Sequence, residues 1–347
     1  MKTLKIDLYS DTITRPTAGM REYMAKAEVG DEQKREDPTT NRLVAMVAEL
    51  LGKEDAVFLP SGTMCNQIAV RIHCRQGDEI IMDRLAHVRN SEAGGAAALS
   101  GAAINPIDGA RGVFTTAQLL AAIRPPVYHS PPSRVVWIEQ TANGAGGVIW
   151  PLENVQEICA TAKANGMACH MDGARLLNAA VETGIPASEW AAPFDSLWID
   201  FSKGLGAPVG AALAGSREFI KEAWRWKHQF GGAMRQSGII AAGAVYALEH
   251  HVDRLAEDHA NAKHLADGIG SVEGLEVEPA ITNMVFINIA SLGITAQDFN
   301  LRLMERGLRL SIFNATRLRA VTHLDVSAPQ IEEAIEIIRD VAGSLPA

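Results

Sequence analysis

Short apolar segments alternate with helical patterns along most of this 347-residue chain. The apolar segments predict strands at 56–60, 79–83, 134–139, 167–172 and 196–201. The amphipathic stretches predict helices at 40–51, 63–74, 116–123, 152–165 and 174–183. Continuous apolar strands separated by helices are typical of a mostly parallel sheet that is covered on both faces. We therefore expect an α/β fold built on such a sheet.

A second, shorter pattern follows this main unit. A long helical stretch at about 237–269 ends the first pattern, and short strands and helices follow it. This change predicts a small C-terminal α+β domain, with its boundary within or at the end of the long helix. The expected organisation is an extended N-terminal segment at 1–15, a large domain at 16–255 and a small domain at 256–347.

A carboxylate and a lysine stand at the ends of two predicted strands. Asp172 ends the strand at 167–172, and Lys203 follows the strand at 196–201 just before a glycine-containing loop. Ligands of open parallel sheets bind outside the carboxyl ends of the strands. Alone, Asp172 would suit a helix cap and Lys203 a surface turn. Together they provide a carboxylate for a pyridinium nitrogen and an amine for a Schiff base, which predicts a pyridoxal 5'-phosphate (PLP) enzyme.

Two further features support a PLP site. Ser61, Gly62 and Thr63 lie between a strand and a helix, where free backbone N–H groups favour a phosphate. Alone, this stretch is more typical of an ordinary strand-to-helix turn with a serine cap, and the presence of Asp172 and Lys203 reverses that preference. Arg175 follows Asp172 closely, and its guanidinium suits a two-point grip on a carboxylate.

Composition argues against nucleic-acid-binding, secreted and membrane-spanning proteins. The formal net charge of −9 argues against nucleic acid as the main partner, because phosphate backbones favour basic surfaces. The four cysteines form no C-x-x-C pair, which is typical of reduced, structural thiols. The first residues lack the apolar stretch of a signal peptide, and no apolar run approaches the length of a membrane-spanning helix. We expect a cytoplasmic protein without a metal, a nucleic-acid partner or a membrane partner.

Six segments, in the same order along the chain, resemble the L-threonine aldolase family. They are 8–16, 60–64, 170–175, 202–208, 231–236 and 321–325. The resemblance implies PLP fold type I, the aspartate-aminotransferase type, with a mostly parallel seven-stranded sheet and a small C-terminal domain. It also implies a homodimer or homotetramer whose active sites are shared between subunits, and a small amino-acid substrate.

The resemblance implies a role for individual residues. Cofactor-binding residues would be Gly62, Thr63, His87, Asp172, Arg175, Ser202 and Lys203, with Arg235 reaching the phosphate from a neighbouring subunit. Substrate-carboxylate ligands would be Ser10, Arg175 and Arg319. Catalytic residues would be Lys203, which forms the Schiff base, His87, which stacks on the cofactor ring, and His129, which lies near the β-hydroxyl.

The chain departs from the family pattern at three places. Many members have Tyr-Gly where this chain has Lys34 and Arg35, and Ala142 replaces a histidine. His228 also replaces a basic residue of the family. These changes most resemble the phenylserine aldolase branch, whose members accept an aryl group at Cβ.

The expected reaction is retro-aldol cleavage of an L-3-hydroxy-α-amino acid to glycine and an aldehyde. The base for the β-hydroxyl proton would be His129, His87 or a water between them. The nearest alternative is a PLP-dependent β-eliminating lyase or hydroxyamino-acid dehydratase, which would release ammonia and a keto acid. A transaminase lacks a second carboxylate-binding pattern here. A non-catalytic PLP-binding protein and a cofactor-free scaffold are the remaining alternatives.

Overall fold

Two β-sheets organise the chain, and the structure, a computed structural model, describes residues 4–345. The strands are β1 Ile6–Leu8, β2 Asp55–Leu59, β3 Glu79–Asp83, β4 Ala103–Ile107, β5 Ser133–Glu139, β6 Ala168–Gly173, β7 Ser196–Asp200, β8 Ala211–Gly215, β9 Glu276–Val277, β10 Met284–Asn288, β11 Leu308–Ile312 and β12 Arg317–Val321.

The α-helices lie between these strands and cover the sheets. They are α1 Ala18–Ala25, α2 Pro38–Leu51, α3 Gly62–His73, α4 His87–Asn90, α5 Gly95–Ser100, α6 Thr116–Ala122, α7 Leu152–Ala164, α8 Leu176–Thr183, α9 Ala187–Ala191, α10 Arg217–Gln229, α11 Gly238–His250, α12 Leu255–Ile269, α13 Ala296–Glu305 and α14 Ala328–Gly343. None of the helices in residues 4–345 combines the length and apolar character needed to cross a bilayer.

The large sheet has seven strands in the order β2-β8-β7-β6-β5-β3-β4. All neighbours are parallel except β8, which runs antiparallel to β7 and β2. This confirms the mostly parallel seven-stranded sheet. In register, Glu139 of β5 lies beside Asp172 of β6, so strand-end carboxylates gather at one edge. Strand β8 was not predicted, because its sequence of alanine, leucine and glycine lacks the β-branched residues that indicate strands.

The second sheet joins the two ends of the chain. Its order is β1-β11-β12-β10-β9, and β1 pairs in parallel with β11 of the C-terminal region. The segment after β1 returns to the large sheet, where the hydroxyl of Thr14 donates to the carbonyl of Lys203 at 2.9 Å. The division into an N-terminal segment, a large domain and a small domain remains a prediction. Residues 1–3 of the N-terminal segment and residues 346–347 of the small domain lie outside the described residues.

The long helix expected at 237–269 is two helices. Helix α11 ends at His250 and α12 begins at Leu255, so this expectation was wrong. The break has a packing reason: α11 packs on α1 and α2, whereas α12 packs on α14 and β10 of the second sheet. In the connection, Nδ1 of His251 forms a hydrogen bond with the carbonyl of Leu205 at 2.7 Å, which holds the turn against the loop after β7.

A buried histidine, His170 of β6, and a half-buried one, His73 of α3, contact the same serine hydroxyl. Nε2 of His73 and Nδ1 of His170 each lie 2.7 Å from Oγ of Ser196. Burial lowers the pKa of His73 to about 4 and that of His170 well below its usual value, because a charged ring would lose its hydration. Both imidazoles are therefore neutral in the folded protein near neutral pH.

We expect the free energy of unfolding to fall as the pH is lowered from about 6.5 to 4. In that range the unfolded chain binds a proton at His73 and the folded chain does not. The loss due to His73 is about 3 kcal/mol, from the difference between its unfolded and folded pKa values. Urea unfolding at pH 7 and 4.5 measures this loss, which should shrink in His73→Gln. An unchanged pH dependence in that variant would contradict the assignment.

Candidate active site

A cavity of about 350 Å³ opens at the carboxyl ends of β5, β6 and β7, facing the start of α3. Seven residues predicted for the site line it. They are Gly62, Thr63, His87, Asp172, Arg175, Ser202 and Lys203. The fold therefore brings together side chains from four strand–loop junctions that are distant in sequence.

Asp172 lies at the floor of this cavity with both carboxylate oxygens engaged. Nδ2 of Asn66 donates to Oδ2 at 2.9 Å, and the backbone N–H of Ala174 donates to Oδ1 at 3.1 Å. Burial raises the pKa of Asp172, which the hydrogen bond from Asn66 opposes. A cationic partner would offset the remaining cost of a buried charge.

Lys203 lies across the cavity, in the loop after β7. Its Nζ is 2.7 Å from Oδ2 of Asp200 and 5.4 Å from the centre of the Trp198 ring. The same Asp200 accepts from the backbone N–H and the hydroxyl of Ser202, both at 2.7 Å. Asp200 thus holds the loop and the amine in one place.

The start of α3 provides a place for an anion. Ser61 caps the helix by accepting from the N–H of Met64 at 3.2 Å. The N–H groups of Gly62 and Thr63 have no acceptor within residues 4–345 and lie at the positive end of the helix dipole. Glycine is required at 62, because a Cβ there would overlap the indole ring of Trp198.

His87 and two glutamates form one wall. Nδ1 of His87 is 2.9 Å from Oε1 of Glu92, and this hydrogen bond raises the pKa of His87. Glu92 is buried and also accepts from Asn66 and from Gln67, each at 2.7 Å. Glu139 is buried beside them, and its carboxylate accepts the backbone N–H of His87 at 2.7 Å.

Two arginines lie on the side of the second sheet. Arg175 donates from Nε and Nη2 to the buried carboxylate of Asp11, at 2.8 and 2.6 Å. Burial alone would raise the pKa of Asp11, but the charge and hydrogen bonds of Arg175 hold it below its usual range. Arg319 donates from Nη1 to Asn143, which lines the cavity, at 2.7 Å. Its buried Nε has no partner among the described residues.

Ser10 is buried next to the cavity rather than in its lining. Its Oγ accepts from the N–H of Thr12 at 3.2 Å and from the Thr12 hydroxyl at 2.9 Å, and Thr12 lines the cavity. Ser10 contacts the lining residue Thr12, and Arg319 contacts the lining residue Asn143. Neither Ser10 nor Arg319 is itself part of the cavity lining.

Two predicted residues lie outside this chain's own cavity. His129 is exposed in the loop before β5, at the opposite end of that strand from Glu139. Seven strand residues separate these ends by roughly 20 Å, so one chain does not place His129 at its own site. Arg235 is also at the surface, with 64% of its side chain exposed, and pairs with Asp31 at 3.1 Å.

Several site residues were not predicted from sequence. Glu139 and Asp200 end strands as Asp172 does, so the same strand-end signal could have identified them. Asn66, Glu92 and Asp11 carry no such signal, because their roles depend on neighbours that are distant in sequence.

These residues fit PLP. Asp172 offers a carboxylate for the pyridinium nitrogen, Lys203 an amine, and the start of α3 free N–H groups for the phosphate. All three face one cavity. Among residues 4–345, no group of three or more His, Cys, Asp or Glu side chains is arranged to hold a metal ion.

Known proteins are similar to this chain in sequence over nearly its whole length. The sequence profile of the beta-eliminating lyase family matches residues 7–291. The low specificity L-threonine aldolase of Escherichia coli (strain K12) is 41% identical over 330 residues, covering 94% of this chain and 96% of that protein. Low-specificity L-threonine aldolase 1 of Arabidopsis thaliana is 37% identical, covering 94% and 93%.

Solved structures show the same fold. The threonine aldolase of Leishmania major superposes with a TM-score of 0.83 at 19% identity, over 97% of this chain and 100% of that chain. The serine palmitoyltransferase of Sphingomonas wittichii superposes with a TM-score of 0.76 at 20% identity, over 98% and 88%. These likenesses concern the fold, whereas the sequence matches concern the family. The chain therefore belongs to the beta-eliminating lyase family and, within it, to the L-threonine aldolases, which makes it a PLP-dependent carbon–carbon lyase.

Proposed function

We propose that this enzyme cleaves L-3-hydroxy-α-amino acids to glycine and an aldehyde by breaking the Cα–Cβ bond. The observation that carries the proposal is that Asp172, Lys203 and Arg175 line one cavity. The relatives at 41% and 37% identity, which are named threonine aldolases, support the same reaction. Product analysis tests it, since glycine and aldehyde should appear in equal amounts.

The cofactor would be held at three points. Lys203 would bind it through the amine, Asp172 through the pyridinium nitrogen, and Gly62 and Thr63 through backbone N–H groups to the phosphate. When bound, PLP accepts the electron pair that the breaking bond at Cα releases. His87 would lie on the cofactor ring, and Ser202 would fix the loop through Asp200.

The substrate carboxylate would be held by Arg175 and Arg319, with Ser10 behind them. Asp11 uses two of the N–H groups of Arg175 and thereby fixes the direction in which the remaining ones point. The unpartnered Nε of Arg319 is a buried donor that a carboxylate would satisfy. Holding the carboxylate orients the Cα–Cβ bond, which is how such sites lower the barrier.

A second subunit would complete the site. We propose a homodimer or homotetramer in which Arg235, exposed in one chain, reaches the phosphate of its neighbour. The exposed loop that carries His129 would likewise serve a neighbouring site if it acts near the β-hydroxyl. Four buried, unpaired cysteines support a reducing compartment, and we propose the cytoplasm.

We further propose a preference for an aryl group at Cβ, as in L-threo-3-phenylserine. The support is the loop that carries Lys34 and Arg35. Glu32 donates its N–H to the carbonyl of Arg235 at 2.9 Å, so this loop borders whichever site Arg235 reaches. Arg35 has a left-handed backbone, with φ 59°, and its guanidinium lies 4.7 Å from the centre of the Trp224 ring. In place of the tyrosine that the family resemblance leads us to expect at 34, Lys34 has an exposed side chain, which would leave room beside that site.

Exchanging this loop is expected to change the substrate preference. The double variant Lys34→Tyr, Arg35→Gly should lower the ratio of kcat/KM for L-threo-phenylserine to that for L-threonine by ~10-fold, the size of one altered pocket contact. Initial rates of glycine release with both substrates measure it. Wild-type turnover of threonine equal to or better than that of phenylserine would contradict the aryl preference, and so would an unchanged ratio.

The second candidate reaction is β-elimination or dehydration of a hydroxyamino acid. The family profile that matches most of the chain carries the description beta-eliminating lyase, which favours this alternative. It uses the same cofactor but breaks a bond at Cβ rather than Cα–Cβ. Its products are ammonia and a keto acid, so one product assay separates the two reactions.

A further inference from the structure

Glu139 faces the cavity but has no side-chain partner among the described residues. Its carboxylate accepts two backbone N–H groups, from His87 at 2.7 Å and from Asn143 at 3.0 Å. The residue is 8% exposed and lines the active-site cavity. Each carboxylate oxygen can accept one more hydrogen bond. Glu139 can therefore accept a hydrogen bond from a hydroxyl group in the cavity.

A second, small cavity lies behind Glu139. Its volume is about 10 Å³, close to what one water molecule needs, and Asp83, Trp137 and Glu139 line it. The indole N–H of Trp137, which is 1% exposed, has no acceptor within residues 4–345. A buried N–H without a partner is costly. A water in this cavity would accept from Trp137 and donate to the two carboxylates.

This small cavity adjoins the protein surface on its far side. A third cavity, of about 390 Å³, shares Leu85 and Gly144 with it, and Leu85 is 41% exposed. Glu139 therefore lines both the active-site cavity and the small cavity, and Leu85 of the small cavity's lining reaches the surface.

The surroundings of Glu139 suit a proton acceptor. Burial, together with the charge of Asp172, raises the pKa of Glu139 to about 7, although its backbone hydrogen bonds and the charge of His87 oppose this. The titratable and charged groups that face it are Asp83 of β3, His87 of α4, Asp172 of β6 and Arg175 at the start of α8. A carboxylate whose pKa lies near the working pH can both take and release a proton.

Other groups of the lining are less able to act as the base. The hydrogen bond that the His87 ring donates to Glu92 raises the pKa of His87, which favours the protonated ring. Asp200 is paired with Lys203, and Asp172 is needed by the pyridinium nitrogen. Glu92 already accepts hydrogen bonds from three side chains. Glu139 remains as the carboxylate with free acceptor capacity toward the cavity.

We propose that Glu139, with a water held behind it, takes the proton of the substrate's β-hydroxyl group. The inference rests on the proposed aldolase reaction and names its base. The O–H bond breaks toward Glu139, the C–O bond becomes the carbonyl of the aldehyde, and the Cα–Cβ bond breaks. A proton later bonds to Cα, giving glycine, so the overall reaction neither gains nor loses a proton.

The variant Glu139→Gln separates this role from a structural one. In the PLP-loaded enzyme, aldehyde release from L-threo-phenylserine and L-threonine should fall by ~100-fold, the usual contribution of a general base. Exchange of the α-hydrogen of glycine in D₂O, followed by NMR, requires no β-hydroxyl and should be unchanged. The affinity for PLP, measured by titration of the apo-protein, should also be unchanged.

Two further measurements use the rest of the geometry. In the wild type, kcat/KM should rise with pH through about 7 as Glu139 loses its proton, and this rise should be absent in Glu139→Gln.

Trp137→Phe removes only the N–H that would hold the water. It should lower aldehyde release by a smaller factor and leave α-hydrogen exchange unchanged. Glu153→Gln, at an exposed position on α7, is the matched control.

The outcomes that overturn the proposal are distinct. Equal loss of aldehyde release and α-hydrogen exchange in Glu139→Gln would mean that Glu139 only positions His87 and Asn143. Full aldehyde release by that variant would exclude it as the base. If the wild-type enzyme releases no aldehyde while exchanging the α-hydrogen of glycine, the proposed function itself fails, and the inference fails with it.

Discussion

Replacing Lys203 with alanine is expected to lower aldehyde release by more than ~1,000-fold, because the variant loses the amine that we propose binds the cofactor covalently. The structure gives Lys203 a single carboxylate partner, Asp200 at 2.7 Å, and places it in the lining of the site. Borohydride reduction of the PLP-loaded wild type, followed by peptide mass spectrometry, should locate the cofactor on Lys203.

A matched variant controls for loss of any lysine. Lys221→Ala, on the exposed face of α10, should retain wild-type activity and cofactor content. Substantial aldehyde release by Lys203→Ala would contradict the assignment. Borohydride labelling at a different lysine, such as the half-buried Lys53, would contradict it as well.

Replacing Asp172 with asparagine should lower kcat by ~100-fold, as loss of one well-placed electrostatic contact does in buried sites. The neutral side chain keeps the shape but cannot stabilise a charged pyridinium nitrogen. PLP should still bind, because Lys203 and the start of α3 remain. The expected signature is therefore a low kcat with retained cofactor, measured by steady-state kinetics and cofactor content.

Replacing Asp172 would also affect the stability of the folded protein. Both of its oxygens accept hydrogen bonds, from Asn66 and Ala174, so an amide NH₂ would face one donor. Thermal unfolding of the apo-protein measures any loss of stability separately from kcat. Asp267→Asn, exposed on α12, is the control. A kcat close to that of the wild type would show that Asp172 does not set the charge of the cofactor.

Much of the fold and the centre of the site could be predicted from the sequence. The apolar strands at β5, β6 and β7 are clear because strands covered on both faces must be apolar throughout. Asp172 and Lys203 stand out because charged residues rarely end such strands without a partner. Glu139 and Asp200 are also charged residues at the ends of apolar strands, so the same pattern indicates them as site residues.

The remainder depended on contacts that a sequence pattern does not contain. Asn66 and Glu92 act through neighbours brought close only by folding, as does the pairing of Asp11 with Arg175. The break between α11 and α12 follows from their different packing partners, α1 and α2 for α11 and α14 and β10 for α12, rather than from a helix-breaking residue. A role for His129 in the site would require an assembly, because one chain holds it far from its own cavity.

The identity of the products distinguishes Cα–Cβ cleavage from β-elimination. The purified, PLP-loaded enzyme would be incubated with L-threo-phenylserine and, separately, with L-threonine, and glycine, aldehyde, ammonia and keto acid would be quantified. Glycine and the matching aldehyde should form in equal amounts, without ammonia, and Lys203→Ala should cleave neither substrate. Ammonia and a keto acid without glycine would contradict Cα–Cβ cleavage and assign the enzyme to β-elimination.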